Sequence, residues 1–139
     1  MIWKTKPRLG ILNDSSKDTI VEHLDIKFSE IGDDYLEATM PVNNKTVQPF
    51  RLLHGGASVV LAETLGSVAS NIIAATSNQQ VVGLEVNANH LKSVKEGQIV
   101  TGRVTPVRIG QRIHVWQIEI KNELEDLICS SRLTVVVLG

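Results

Sequence analysis

Three blocks with different hydrophobic periods follow one another along the chain. Near the start, "NDSSKDTI" puts Asp14, Ser15 or Ser16 ahead of Thr19, Ile20 and Val21, an order suited to capping a short helix. The segment "HLDIKFSEIGDDYLEATMPV" holds two short alternating runs around Gly32-Asp33-Asp34 and predicts a hairpin. "NNKTVQPFRLLHGG" then reads as a loop containing Pro49. From residue 55 to about 75 the period changes. Ala, Leu, Val and Ser dominate, no proline interrupts, and Ser58, Leu61/Ala62, Leu65, Ala69 and Ile72/Ile73 form a stripe. The other side is nearly as apolar, which predicts one long helix buried almost all round.

Four runs of strand character complete the chain, at 80–91, 98–108, 111–121 and 127–138. In the third, His114, Trp116, Ile118 and Ile120 share a face, with Arg112 at its start. In the fourth, Leu127, Cys129, Leu133, Val135 and Val137 do the same. Glu-Gly, Ile-Gly and Asn-Glu-Leu-Glu-Asp turns separate the last runs, and such short connections imply antiparallel pairing. The expected architecture is α+β: a single domain over residues 1–139 in which a curved antiparallel sheet wraps one helix.

Composition narrows the function classes. At 139 residues, 42% hydrophobic and 21% charged, the chain has material for one core without staples. A net charge of −1 and the lack of a Lys/Arg run argue against nucleic acid or an anionic membrane as partner. A single cysteine rules out an internal disulfide, and its place among alternating apolar residues assigns Cys129 to the core. "MIWKTKPRLG" lacks a long apolar leader region, and no run of about 18 apolar residues is evident, so a cytoplasmic protein is expected. The four histidines have no metal-ligand spacing, and no phosphate-loop, dinucleotide or nucleophile-elbow motif occurs, so neither a metal nor a cofactor is expected.

Chemistry concentrates in "QPFRLLHGGASVVLAETLGS". Gly55 and Gly56 open the helix and leave amide N–H groups at its positive end, which suits an oxyanion or serves only as a turn. Glu63 lies inside the apolar helix with small residues, Gly66 and Ser67, one turn on. Its carboxylate either pairs with an Arg or Lys or acts as general base or nucleophile. Gln48 and His54 flank the entry loop and suit either scaffolding or contact with a carbonyl or water. Gly55 and Glu63 are eight residues apart, roughly 12 Å along a helix, so one substrate carbonyl cannot touch both in one copy. If both act on one bond, a symmetric dimer with two composite sites follows. Basic side chains at His90, Lys92, Lys95, Arg103, Arg108 and Arg112 are either solvated turn charges or a rim for phosphates.

The motifs "LEATMPV", "QPFRLLHGGASVVLAETLGS", "VVGLEVNANHL" and "VWQIEI" together resemble the hotdog-fold thioesterases, over essentially the whole chain. The resemblance is to the phenylacetyl-CoA thioesterase-like clade, and within it to the 1,4-dihydroxy-2-naphthoyl-CoA thioesterases of menaquinone biosynthesis. The proofreading thioesterases that act on aryl-carrier-protein thioesters in enterobactin biosynthesis are also similar. The resemblance implies a helix wrapped by a curved sheet, and homodimers with composite sites that commonly pair into tetramers. It implies hydrolysis of an aromatic acyl-CoA by Glu63, with the Gly55 N–H polarising the thioester carbonyl. Gln48 and His54 then line that carbonyl and the attacking water, and Ser67 steadies the acid or the water. Coenzyme A, as part of the substrate, would run along Gly83, along His90, Leu91, Lys92 and Ser93, and along Arg108, Ile109, Gly110, Gln111, Arg112 and Ile113. Arg51 stands where a smaller residue is usual, at the expected mouth of the site. A dehydratase on the same fold needs a different acid–base pair, and a non-catalytic acyl-CoA-binding module would use the same pocket.

Overall fold

The computed structural model describes residues 1–75 and 77–139. Two short helices, α1 (Leu9–Asp14) and α2 (Ile20–His23), precede the hairpin β1 (Lys27–Ile31) and β2 (Leu36–Pro41). The long helix α3 (Gly55–Ala75) is followed by β3 (Gln80–His90), β4 (Ile99–Ile109), β5 (Ile113–Lys121) and β6 (Leu127–Leu138). The expected cap lies further along than the sequence suggested. Thr19, not Asp14 to Ser16, caps α2 by accepting the Val21 N–H at 3.2 Å. Asp14 instead ends α1, a helix the pattern did not reveal.

All six strands form one antiparallel sheet in the order β1-β2-β4-β5-β6-β3. Helix α3 contacts β2, β4, β5, β6 and β3. Five strands at about 4.8 Å spacing are wider than a helix of about 10–12 Å diameter, so the sheet has to curl for all five to reach it. Bulges at Gly83/Glu85 in β3 and at Pro106/Arg108 in β4 break the ladder, and such irregularities help a strand to bend.

The period-two faces behave as expected. His114, Trp116, Ile118 and Ile120 are buried, as are Cys129, Leu133, Val135 and Val137. Trp116 pairs with Leu133 across β5 and β6, and both have no exposed surface. Leu61 and Leu65 of α3 are fully buried against this layer, each contributing about 2 kcal/mol. The helix is not buried all round, however. Leu61, Ala62, Leu65, Ala69 and Ser70 are enclosed, whereas Val59, Val60, Glu63, Thr64, Ser67 and Val68 are only half-buried and Asn71 is exposed. One chain can cover only one side of the cylinder. Helix α3 has the length and apolarity of a membrane span, yet half of that window is packed inside the sheet.

A polar network crosses the core between helix and sheet. The Trp116 indole N–H donates to the Ser70 hydroxyl at 2.7 Å, and Ser70 Oγ lies 2.8 Å from His114 Nδ1. His114 is also hydrogen-bonded to the Gly110 backbone. Trp116 can only donate, so Ser70 accepts from it; with the proton of a neutral ring given to Gly110, Nδ1 accepts from the Ser70 hydroxyl. That ring proton sits on Nε2, facing the Gly110 carbonyl. Burial holds the His114 pKa below the ordinary 6.5, while the bond to Gly110 opposes that shift.

Ser70→Ala is expected to lower the unfolding free energy by about 2 kcal/mol, because it strands the indole N–H and Nδ1; denaturant titration measures it. Below about pH 6.5 the unfolded chain takes up the histidine proton before the folded one does. The His114 contribution is therefore intact above that pH and declines as pH falls toward the lower folded-state value. His114→Gln should flatten this part of a melting-temperature-against-pH curve.

Candidate active site

The start of α3 is governed by His54. Its carbonyl accepts the Ala57 and Ser58 N–H groups at 3.0 and 3.3 Å, and its ring Nδ1 accepts the Gly56 N–H at 2.8 Å. A helix leaves its first four N–H groups without helical partners. Here those four belong to His54, Gly55, Gly56 and Ala57: the His54 N–H donates to the Thr46 carbonyl at 2.8 Å and His54 itself accepts from Gly56 and Ala57, the Ser58 bond being the first ordinary helical one. The Gly55 N–H alone of that turn has no partner among the described residues. The sequence suggested two open amides; the His54 ring removes Gly56 from that pair. That bond uses only Nδ1 of the His54 ring and leaves the Nε2–H as a donor; His54 does not line the neighbouring cavity.

That cavity, about 360 Å³, is lined by Gln48, Leu52, Leu53, Gly55, Ser58, His90, Leu91, Lys92, Ser93 and Ile128. Gly55 lies close under the His90 ring: a methyl group there would come 2.7 Å from His90 Nε2, and the exposed ring would have to swing aside. Gln48 opens a turn in which the Arg51 N–H returns to the Gln48 carbonyl at 2.8 Å, with Pro49 inside. The Gln48 side-chain oxygen accepts the Phe50 N–H at 2.5 Å. A backbone N–H can only donate, so this contact orients the amide. The Gln48 oxygen is engaged and its NH₂ group is the end available to the cavity.

Glu63 occupies a second place. Its carboxylate lies against β3 at Gly83, where a methyl group would come within 2.6 Å of Glu63 Oε2. No hydrogen bond or ion pair engages Glu63 among the described residues, so the structural alternative of a neighbouring Arg or Lys is not realised there. Ser67 lies one turn further, half-buried, and its carbonyl accepts from the Asn71 amide at 2.9 Å. Gly83 and His90 are seven residues apart on β3, about 23 Å of strand. A single chain therefore keeps two groups of candidate residues apart: Gln48, Gly55 and His90 to Ser93 at one end, Glu63 and Gly83 at the other.

The turn from Arg108 to Ile113 falls on the Glu63 side. Ile109, Gly110 and Gln111 border a cavity of about 180 Å³ beside Ile73 and Ala74 near the end of α3. The chain does not unite this turn with His90 to Ser93. The predicted strand start at 111 moves to Ile113, because the Gly110 N–H bonds the Ile113 carbonyl at 2.8 Å and closes the turn there. Among the basic residues, Lys92 pairs with Asp126 at 2.7 Å and holds that carboxyl below the usual carboxylate range. Arg103 belongs to another face: it bonds Glu37 at 2.6 Å and stacks 3.9 Å over the Tyr35 ring. Arg51 binds Glu96 and does not line the cavity. Among the described residues, no group of three or more His, Cys, Asp and Glu is arranged to hold a metal.

Leu52, Leu53, Ser58 and Ile128 also line the cavity, and the sequence did not single them out as site residues. Ile128 carried one signal, since it is buried on the off-beat of the β6 alternation beside Cys129. Ser58 had none, because a serine in a buried helical stripe reads as packing.

Comparison with known proteins bears on this geometry. The sequence model of the thioesterase superfamily matches residues 50–129. The chain is 56% identical to the 1,4-dihydroxy-2-naphthoyl-CoA hydrolase of Escherichia coli, across 99% of this chain and 100% of that one. It is 48% identical to the proofreading thioesterase EntH of Cronobacter turicensis, across 100% of both. A thioesterase structure from Haemophilus influenzae superposes with a TM-score of 0.95 at 48% identity, covering 100% of this chain and 96% of that one. With a long helix packed against five strands of a six-stranded antiparallel sheet, and with a Gly55 N–H and a Glu63 carboxylate that have no partner among the described residues, this chain belongs to the thioesterase superfamily and has its hotdog fold.

Proposed function

We propose that this thioester hydrolase acts on an aromatic acyl-CoA, 1,4-dihydroxy-2-naphthoyl-CoA of menaquinone biosynthesis, and releases the free acid and CoA. The observation that carries the reading is Glu63, a carboxylate without a partner among the described residues, on an apolar helix that also presents an open Gly55 N–H. The 56% identity to a hydrolase of that name supports the choice of acyl group.

The two half-sites meet only between copies. Strand β3 is an edge strand, exposed over most of its length, with Val82 and Leu84 open to solvent. An unpaired edge of 11 residues is a template for another strand. Antiparallel pairing with a second β3 brings the Gly83 end of one copy beside the His90 end of the other. It also covers the half-buried face of α3. The thioester carbonyl then accepts from the Gly55 N–H and the Gln48 amide, with the helix dipole favouring the oxyanion. The partner's Glu63 takes a proton from the attacking water, the C–S bond breaks, and the thiolate leaves with that proton as CoA–SH. Direct attack by Glu63, forming an anhydride, is the other route; oxygen-18 from solvent entering Glu63 in a single turnover identifies it. Ser67 steadies the acid or the water, and His54 shapes the helix start through Nδ1 while its Nε2 side lines the carbonyl and the attacking water. Segments 90–93 and 108–113 hold coenzyme A, one from each copy. The assembly is a dimer of dimers in the cytoplasm, without metal or cofactor.

Glu63→Gln should lower kcat by about 10²-fold or more in a thiol-release assay over aryl-CoA and alkyl-CoA thioesters. Near-wild-type turnover in that variant would overturn the mechanism. Hydrolysis confined to aryl-carrier-protein substrates would move the assignment to proofreading. Refolding Glu63→Gln together with Gln48→Ala should restore roughly a quarter of wild-type activity, since mixed dimers carry one intact composite site; no recovery would place both groups in one copy. Gly83→Ala should leave melting nearly unchanged, because only the mobile tip of Glu63 has to yield, while kcat falls.

A further inference from the structure

Arg51 is the fourth residue of the turn that begins at Gln48, and it adopts φ +63°. A side chain disfavours that conformation, and glycine is the residue expected there. The turn is kept closed by the segment that follows β3. The Leu53 N–H donates to the Val94 carbonyl at 2.8 Å, and the Glu96 N–H donates to the Arg51 carbonyl at 3.2 Å. A β-bridge joins Leu52 to Lys95. The Arg51 guanidinium adds a two-pronged grip on the Glu96 carboxylate, with Nε to Oε1 at 3.2 Å and NH2 to Oε2 at 2.5 Å. This fork is the geometry in which arginine binds a carboxylate best.

The fork joins two walls of one cavity. Gln48 belongs to the turn on one side, and Lys92 and Ser93 belong to the segment on the other. The Gln48 amide is oriented by the Phe50 N–H, which lies inside the same turn, between Pro49 and Arg51. If Arg51 relaxes from its left-handed conformation, the Phe50 peptide moves and the Gln48 oxygen loses its partner. The NH₂ group then no longer keeps one direction. We propose that Arg51 and Glu96 are positioning residues, a latch that holds the Gln48 amide aimed at the thioester carbonyl. This rests on the role assigned to Gln48 above. Both partners are partly exposed, with side-chain accessibilities of 56% and 38%, so the latch loosens as salt screens it.

The test is steady-state hydrolysis of an aryl-CoA thioester by wild type, Gln48→Ala, Glu96→Gln, Arg51→Gly and Gln48→Ala/Glu96→Gln. Arg51→Gly removes the guanidinium while leaving a residue at ease at positive φ. Glu96→Gln, which leaves the strained Arg51 unlatched, should lower kcat about tenfold with KM within about twofold, the pattern of lost orientation, whereas Arg51→Gly, which removes the strain together with the fork, should lose less. Melting temperatures should stay near wild type. The Glu96→Gln effect should vanish in the Gln48→Ala background, as it must if the latch acts through Gln48. Wild-type kcat should fall with added salt more steeply than that of Glu96→Gln. Full kcat in Glu96→Gln would overturn the latch, and so would an undiminished Glu96→Gln effect without Gln48. Wild-type kcat in Gln48→Ala itself would instead overturn the role of Gln48 on which the proposal stands.

Discussion

Helix α3 has to be covered, and the rest of the molecule is arranged around that requirement. Its apolar side is sealed by five strands, which curl to reach it. Trp116 and Leu133 provide the hydrophobic contact, and Ser70 joins the helix to Trp116 and His114 through hydrogen bonds. Apolar packing alone leaves a helix free to slide along a groove. A buried hydroxyl that must meet two specific side chains at once restricts that freedom, because a shift strands polar groups away from water. The position of α3 in turn sets where Gly55 and Glu63 stand relative to the sheet.

The same helix explains why the candidate residues fall into two groups. Its N-terminus favours negative charge, but His54 satisfies every first-turn donor except the Gly55 N–H. The carboxylate sits more than two turns away, where a glycine in β3 makes room for it. A donor and an acid at that separation on one rigid rod cannot close on one carbonyl. What separates them within a copy would bring them together across a two-fold axis, and the chain leaves both the β3 edge and one face of α3 incompletely covered. Keeping the acid apart from its own copy's basic residues also avoids the ion pair that would quench it.

The entry loop meets a different demand. A glutamine amide can present either its oxygen or its NH₂ group, and only the latter donates to a carbonyl. The Phe50 N–H makes that choice by engaging the oxygen. The loop thereby converts a side chain of ambiguous polarity into a donor. It does so through a turn whose closing residue, Arg51, has a backbone angle that favours glycine and a side chain tied to Glu96. Local strain and a surface ion pair are thus found in the segment that adjoins the cavity.

Much of this is legible in the amino-acid order alone. Alternation at His114 to Ile120 and Cys129 to Val137 specifies two buried strand faces, because a period of two leaves each residue a single side. The proline-free apolar run specifies the helix, and the eight-residue spacing of Gly55 and Glu63 specifies that they cannot meet on one carbonyl within one copy. Such facts are local, carried by covalent geometry and residue type. Other features depend on residues distant in the chain. By sequence Arg51 belongs at the mouth of the site, but Glu96, 45 positions later, turns it aside. Arg103 reads as either a solvated turn charge or part of a phosphate rim, and Glu37 and Tyr35 hold it on another face. His54 reads as either loop scaffolding or a contact with a carbonyl or water, and the structure shows its Nδ1 serving the helix start. The amino-acid order determined the elements and the chemical groups available; the tertiary structure decided which groups remain free, because each polar atom goes to the partner that packing brings nearest.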